Sequence, residues 1–381
     1  MKNLYTAKKI ILNSILLFIL FFPDVSNAQA NVYVNPATTV LSGQSTVTVD
    51  VMISNVSNLH SYQVRLLFDN TIISYQSIAK GPFLSDVSYS TLFLVTPSTI
   101  IDSINAEEAI LGPYVVNGSG KLFSVTYNVM SAGTSSIDIV GVQLRDLANQ
   151  SIPVTWTSGE IIVPVAVNAK LFLQGPFSSG SMSTTLNSTD NLPNIQPYSN
   201  APWNYNGTES VSVGFFSTHT NIVDWILVEL RNGPNGNTVV ERRAGFITNT
   251  GNVVGINGNS LLYFSELAGN YYIVFYHRNH IPIMTSVSSN LNYVSSLYDF
   301  TDSQSKAYGS NAMVNLGGGF FGMFTGDSDG SGSVNAADRS NTWNQRNLLG
   351  YYGTDMDLNG SVNAADRSIV WNNRNIGTQV P

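Results

Sequence analysis

The feature that most constrains this chain is an acidic twelve-residue loop that occurs twice near the C-terminus, the second copy 28 residues after the first. The first runs Asp327-Ser-Asp-Gly-Ser-Gly-Ser-Val-Asn-Ala-Ala-Asp338, the second Asp355-Met-Asp-Leu-Asn-Gly-Ser-Val-Asn-Ala-Ala-Asp366. Loop positions 1, 3, 5, 9 and 12 carry oxygen-bearing side chains: Asp327, Asp329, Ser331, Asn335 and Asp338, then Asp355, Asp357, Asn359, Asn363 and Asp366. Position 6 is Gly332 or Gly360, and position 7 is Ser333 or Ser361, whose backbone carbonyl would join the set. This is the ligand spacing of a calcium loop, in which alternate residues point inward and glycine permits the sharp turn. Two Ca2+ ions are therefore expected. Position 12 is Asp rather than Glu, so bidentate ligation requires a tighter closure.

The same continuation, Asp-Arg-Ser-x-x-Trp-Asn-x-Arg-Asn, follows each loop at 338–347 and 366–375. Read as a helix, it offers Ala337 and Trp343, or Ala365, Ile369 and Trp371, as a short apolar face. One copy alone would pass for a string of turns; two in one register, each with the same helix behind it, mark a built repeat.

A loop followed by a single helix, repeated with no entering helix, resembles a dockerin, the small calcium-binding partner of cohesin domains. The resemblance implies that loop positions 10 and 11 and the early helix meet the partner. Those residues are Ala336, Ala337, Arg339 and Ser340, then Ala364, Ala365, Arg367 and Ser368. Dockerins often carry hydroxyl pairs at positions 10 and 11, where this chain has Ala-Ala twice, which leaves the class of partner open. The copies are identical here, so the resemblance also implies binding in either of two orientations.

With 381 residues the chain has room for two or three cores. Charged residues make up 11%, and Gly, Ser, Asn and Thr are abundant, which suits short strands and turns. There is no cysteine, so neither disulfides nor thiol chemistry can contribute. Lys2, Lys8 and Lys9, the apolar run Ile10 to Phe22, and small residues at Ser26, Ala28 and Ala30 form an export signal, cleaved after Ala28 or Ala30. The run is too short to span a bilayer, which takes about 20 residues. Residues 31–381 carry 14 basic and 23 acidic side chains, a net charge of −9. No basic patch exists to hold nucleic acid.

Residues 31–164 alternate as strands do. Val47, Val49, Val51 and Ile53 share one face, and Tyr62, Val64, Leu66, Phe68 and Phe123, Val125, Tyr127, Val129 repeat the pattern. Such strands without a helical period predict a β-sandwich. The opening from Pro36 to Gly43, the segment 61–69, and Ile110-Leu-Gly-Pro113 leading into 118–127 resemble a cohesin domain. Cohesins bind dockerins, so the two ends of the chain support each other, and head-to-tail association between copies is an expectation of the pairing.

Residues 165–323 form a second β-rich block, predicted to be sandwich-like, with its clearest strands at 223–231 and 271–276. The block resembles an uncharacterised region that precedes dockerin-like tails in secreted bacterial proteins. Residues 317–322 end it, and 324–381 form the calcium tail. No long Pro/Thr linker separates the blocks, which therefore abut.

No nucleophile elbow, zinc-protease motif or phosphate loop is present. His277 and His280 lie at a strand end, where an offset of three sends side chains to opposite faces. Glu107 and Glu108 are expected in a solvated loop, diverging too far for glycosidase work. Trp203 and Tyr205, among Asn and Gly, offer either an aromatic platform for a sugar ring or a packed corner. The chain is thus expected to be a secreted, non-catalytic assembly protein for extracellular polysaccharide binding or degradation. The alternative is a carbohydrate-binding or cell-surface adhesion protein whose calcium loops are purely structural.

Overall fold

A computed structural model describes residues 29–85, 89–98 and 102–381. Of the expected export signal, residues 1–30, only Gln29 and Ala30 are among the described residues. Among the described residues eleven strands build the N-terminal module: β1 (Ala30–Asn35), β2 (Thr38–Val40), β3 (Thr46–Leu59), β4 (Ser61–Leu67), β5 (Ile73–Lys80), β6 (Thr91–Ser98), β7 (Ser103–Ile110), β8 (Val116–Val129), β9 (Gly133–Arg145), β10 (Val154–Thr157) and β11 (Gly159–Val163). They form two sheets, ordered β10-β1-β3-β8-β5 and β2-β11-β9-β4-β7-β6. Pairing is antiparallel except for β1 with β10 and β2 with β11. The alternating residues meet between the sheets as expected: Val49, Val51, Ile53, Val64, Leu66, Phe123, Val125 and Tyr127 are all buried. A period of two puts one set inward on each strand, and burying both sets together is what holds the layers.

Glu107 and Glu108 sit on strand β7 rather than in a loop. Their neighbours Ala106 and Ile110 are buried, and the β pleat carries this pair into the sheet, Glu107 outward and Glu108 inward. Tyr62 donates its hydroxyl hydrogen to Glu108 Oε2 at 3.1 Å, and Lys80 Nζ lies 3.8 Å from Oε1. Burial raises the Glu108 pKa.

The second block begins one residue after β11, with Val165–Val167 pairing to Leu262–Phe264. Its principal sheet runs Val253–Val254, Val239–Thr248, Ile222–Arg231, Gly269–His277 and His280–Met284, with Ser289–Leu291 also pairing to the fourth. Among the described residues the other pairings are two-stranded, so one sheet covered by irregular chain stands where the sequence suggested a second sandwich. The strand Ile222–Arg231 is buried along its whole length. Its charges are matched inside: Glu229 accepts from Arg231 Nε at 2.6 Å and from Arg242 Nε at 2.5 Å.

The modules share one continuous hydrophobic core. Polar contacts close the seam: Gly43 N–H donates to the Tyr293 hydroxyl at 2.6 Å, and Ala132 N–H to Asn292 Oδ1 at 2.6 Å. The glycine run near 320 forms a hairpin of Val314–Gly317 with Phe320–Gly322, and Gly317, Gly318 and Gly319 supply the left-handed turn. The tail then carries two helices, Ala336–Asn344 and Ala364–Asn372. No described helix is long and apolar enough to cross a membrane.

Candidate functional site

Each tail loop folds back so that its three aspartates converge. Ligand oxygens of Asp327, Asp329 and Asp338 lie within 4.8 Å of one another, as do those of Asp355, Asp357 and Asp366. The local chemistry is the same in both. The position-1 carboxylate accepts the N–H of the position-6 glycine, Gly332 N to Asp327 Oδ2 and Gly360 N to Asp355 Oδ2, each 2.9 Å. These glycines sit at φ +80° and +83°, in the left-handed region that the turn requires. The position-12 carboxylate accepts from position 2, Ser328 N to Asp338 Oδ1 and Met356 N to Asp366 Oδ1, each 2.7 Å. Its second oxygen accepts from the position-9 backbone N–H, and the position-9 side chain caps the helix in return. Asn335 and Asn363 thus start the helices as well as belonging to the loops.

The six carboxylates make no salt bridge among the described residues. Burial, then the neighbouring carboxylates, push Asp327 up to about 7. Burial likewise lifts Asp355 to about 7, against the nearby Arg278, which lowers it. The converging carboxylates, of which Asp327, Asp338, Asp355 and Asp366 are buried, stand beside the hydroxyl, amide and carbonyl oxygens of Ser331, Ser333, Asn359 and Ser361, the all-oxygen set that suits a hard cation of calcium's size. The donor set fits two ions.

The loops are tied to each other's helices. Val334 N–H donates to Ile376 O at 2.8 Å and Thr378 N–H to Gly332 O at 2.7 Å; Val362 N–H donates to Leu348 O and Gly350 N–H to Gly360 O, both 2.9 Å. Each loop therefore pairs with the segment that follows the other helix. The helices bury Thr342 and Val370, one turn after the loop aspartates, rather than the tryptophans. Pointing Asp338 and Asp366 into the loops turns residues four further on inward as well. Trp343 and Trp371 stay about half exposed, each flanked by two guanidinium groups. Arg346 and Arg367 lie 4.5 Å from the Trp343 ring centre; Arg374 and Arg339 lie 4.7 and 5.3 Å from that of Trp371. Ala336, Ala337, Ser340, Ala364, Ala365, Arg367 and Ser368 are exposed and Arg339 half-buried, so these residues remain on the surface.

The tail is set into the second block by a buried polar cluster. Asp224 Oδ2 accepts from Arg278 Nε at 2.9 Å, and Oδ1 accepts from the Tyr351 hydroxyl at 2.7 Å. Burial alone would raise the Asp224 pKa, but Arg278, with His277 and Tyr351, holds it at about 2. Arg278 Nη1 donates to Tyr352 O, and Asn279 Nδ2 to Asp355 O at 2.6 Å. Asn279 O accepts from Gly326 N at 3.0 Å, so one residue touches the start of both loops.

His277 and His280 belong to this cluster, and the hairpin overturns the expected divergence. Paired across the turn, their Nδ1 atoms lie 3.0 Å apart. His277 Nε2 is 3.2 Å from Asp224 Oδ2, and His280 Nε2 accepts from Gly175 N at 3.3 Å. Burial lowers both pKa values. Their nitrogens are consumed by protein partners, and their role is structural.

Tyr205 is buried, its hydroxyl donating to Glu209 Oε1 at 2.5 Å, so no open ring face faces solvent. Trp203 packs edge-on against Tyr198 and lies against Gly330 of the first loop. The pair forms the packed corner rather than a stacking platform. What the sequence did not single out is the outer face of the sheet β2-β11-β9-β4-β7-β6. There Gln63, Glu107, Gln143 and Arg145 border a groove of ≈ 260 Å³ beside Leu92 and Leu94, both about half exposed. The outward members of the same alternation would have marked it.

The fold defines a β-sandwich joined to a β-rich block and a tail with paired acidic loops. Residues 34–163 match the family model described as the cohesin domain, and the N-terminal sandwich is accordingly a cohesin domain. The match does not extend to residues 164–381. Among solved structures, a non-cellulosomal cohesin from Archaeoglobus fulgidus is 19% identical, with TM-score 0.30, over 35% of this chain and 91% of that one. The second type II cohesin module of a scaffoldin from Acetivibrio cellulolyticus is 15% identical, with TM-score 0.31, over 36% and 97%. A type I cohesin–dockerin complex from Clostridium thermocellum is 14% identical, with TM-score 0.31, over 35% and 92%. No curated protein matches the chain.

Proposed function

We propose that this chain is a secreted, non-catalytic assembly protein that works through cohesin–dockerin type binding. Its sandwich would take a dockerin-bearing partner on the face of β9, β4, β7 and β6. Its tail, holding two Ca2+ ions, would present Ala336, Ala337, Arg339, Ser340 and their counterparts Ala364, Ala365, Arg367, Ser368 to a cohesin, on another protein or on a second copy of this chain. The observation that carries the reading is the pair of loops: the same six-position oxygen set, closed by the same hydrogen bonds, on a chain that also carries a cohesin domain. Polysaccharide binding or degradation outside the cell is the setting this pairing suggests.

Calorimetric titration of the full chain with calcium tests the metal; two ions per chain are expected, and one each in Asp338→Ala and Asp366→Ala. Sedimentation of the full chain across concentration, in calcium and in chelator, then tests partner binding between copies, and titration against a panel of dockerin modules tests the sandwich. Absence of calcium binding at millimolar concentration would sink the tail's role. A chain that binds calcium, stays monomeric and ignores every dockerin would leave the sandwich's role without support.

One observation favours a second reading, in which the ions only brace the tail. Asn279 and Arg278 grip both loops from the second block, so the tail is part of a larger body rather than a freely tethered module. Calcium binding without any gain in partner binding would favour this reading.

A further inference from the structure

The two tail repeats bring four arginines together on one face. Arg346 and Arg367 lie against the Trp343 ring, Arg374 and Arg339 against that of Trp371, so each ring takes one arginine from its own repeat and one from the other. Arg346 Nη1 donates to Trp343 O at 2.9 Å, and Arg374 Nη1 to Trp371 O at 2.8 Å. Among the described residues none of the four forms a salt bridge. Arg346, Arg367, Arg374 and both tryptophans are exposed. Spread through the sequence, these charges gather only in the fold. Arginine and tryptophan dominate the energetics of protein interfaces, and side chains already held in place lose little freedom on binding.

The charge that answers them is on the sandwich. Residues 31–164 carry four basic and nine acidic side chains, a net charge of −5. Four of the acids meet at one end of the sheet β2-β11-β9-β4-β7-β6. Leu67 pairs with Asp138 on one side and Ser103 on the other, while Phe68 N–H donates to Asp102 O at 3.1 Å. Asp69 N–H donates to Ser135 Oγ at 3.0 Å. Ser136, which pairs with Glu160, donates its hydroxyl hydrogen to Asp138 Oδ2 at 2.7 Å. Asp69, Asp102, Asp138 and Glu160 thus share this end, and the side chains that donate to them, from Thr71, Asn70, Ser136 and Thr38, are all neutral. Arg65, two residues before Leu67, makes no salt bridge with them among the described residues.

We infer that the arginine–tryptophan face of the tail docks on this acidic end of the sandwich of a second copy, and that calcium sets the sign of the attraction. The inference rests on reading the loops as calcium sites. Residues 324–381 carry four arginines and six aspartates, a net charge of −2, which two Ca2+ ions turn to +2. Metal-free ends repel each other and loaded ends attract. Guanidinium forks match carboxylates two bonds at a time, which gives the contact its geometry as well as its charge. Arg278 and Asn279 fix the tail to its own second block, so the sandwich it meets belongs to another copy. Such a contact is heterologous and joins copies head to tail.

The test is sedimentation of the full chain in calcium at about 0.03 M and about 0.5 M salt, on either side of the ionic strength that screens charges beyond ~10 Å. Association is expected at low salt, and its loss at high salt and in chelator. Arg346→Glu with Arg374→Glu should abolish it while the chain still takes up two calcium ions, which shows that the tail remains folded. Asp138→Lys with Glu160→Lys should abolish it too. Mixing these two variants should restore association, because each keeps the face the other has lost. A wild-type chain that takes up calcium and stays monomeric at low salt would overturn this inference alone; one that takes up no calcium would sink the calcium-loop reading with it. Association that survives high salt, chelator or either pair of reversals would also overturn it, as would a mixture that stays monomeric.

Discussion

The two tail loops share every ligand position and the same closing hydrogen bonds, yet differ at the positions between. Position 2 is Ser328 in the first and Met356 in the second; position 4 is Gly330 and Leu358. Both position-4 residues take a left-handed backbone, φ +67° and +56°, which glycine adopts freely and leucine does not. Leu358 is held there because its side chain is buried in the main core, while Met356 joins Ile281, Val334 and Val370 in a second one. In the first loop Gly330 instead leaves space for Trp203 and Pro202. One loop is a cornerstone of the tail's attachment and the other lies under a packed corner. Ligand chemistry fixes positions 1, 3, 5, 7, 9 and 12 and the glycine at 6, while positions 2 and 4 are free to decide what the loop is built into.

The largest expected effect is at the attachment itself. Arg278→Ala leaves Asp224 charged and buried, and should cost about 3–5 kcal/mol of stability in urea unfolding. A loss under about 1 kcal/mol, the range of exposed pairs, would mean the cluster is not what joins tail to block.

Exchanging the position-2 residues sharpens the contrast between loops. Met356→Ser empties a buried site and should cost about 2–5 kcal/mol. The reverse change, Ser328→Met, removes the hydroxyl that donates to Asp338 Oδ1 and accepts from Asn341 Nδ2 at a half-buried position, and should cost about 1 kcal/mol, the scale of one hydrogen bond. Equal costs would break the comparison.

Calcium should raise stability by about 2.7 kcal/mol per site at a hundredfold excess over its dissociation constant, read as the shift in thermal unfolding against chelator. Its pH dependence follows from the loop aspartates. Without metal, Asp327 and Asp355 titrate at about 7 in the folded chain against the ordinary 3.8, so their contribution is whole below about pH 4 and is lost as pH rises through 7. The chelated tail should therefore be more stable at pH 5 than at pH 8 from these groups. Calcium needs them ionised, so its affinity should fall over the same interval as the pH drops. Affinity that is flat from pH 8 to pH 5 would contradict the burial of both carboxylates.

The smallest effect belongs to the helical surface. Trp343→Ala and Trp371→Ala each remove two guanidinium contacts on an exposed ring, worth about 0.5–1 kcal/mol apiece. The two should match, because the stacking is reciprocal; a clear difference in denaturant midpoints would show that the second block biases one helix.

The loops and the sandwich were legible because their patterns are local. Ligand spacing and period-two alternation act on neighbouring residues, and nothing distant can change which side of a strand Val64 or Phe123 occupies. The helices' inner face was misread for the opposite reason: tryptophan is the largest apolar residue in each repeat, but the rotation of the helix is set by Asp338 and Asp366 reaching into the loops. His277 and His280 met because a hairpin register, not strand geometry, governs residues on either side of a turn.

By itself, the sequence determined which oxygen-bearing residues recur at ligand spacing, which side chains of the sandwich strands share a face, and that no cysteine chemistry is available. Only the tertiary structure decided that the tail is embedded rather than tethered, and that Tyr205 spends its ring inside and its hydroxyl on Glu209. The first of those outcomes depends on Arg278, Asn279 and Asp224 meeting Tyr351, Tyr352 and Asp355 across 70 to 130 residues of chain. Contacts at that separation carry no spacing signal, because their energy comes from burial and charge pairing that exist only after both partners are in place.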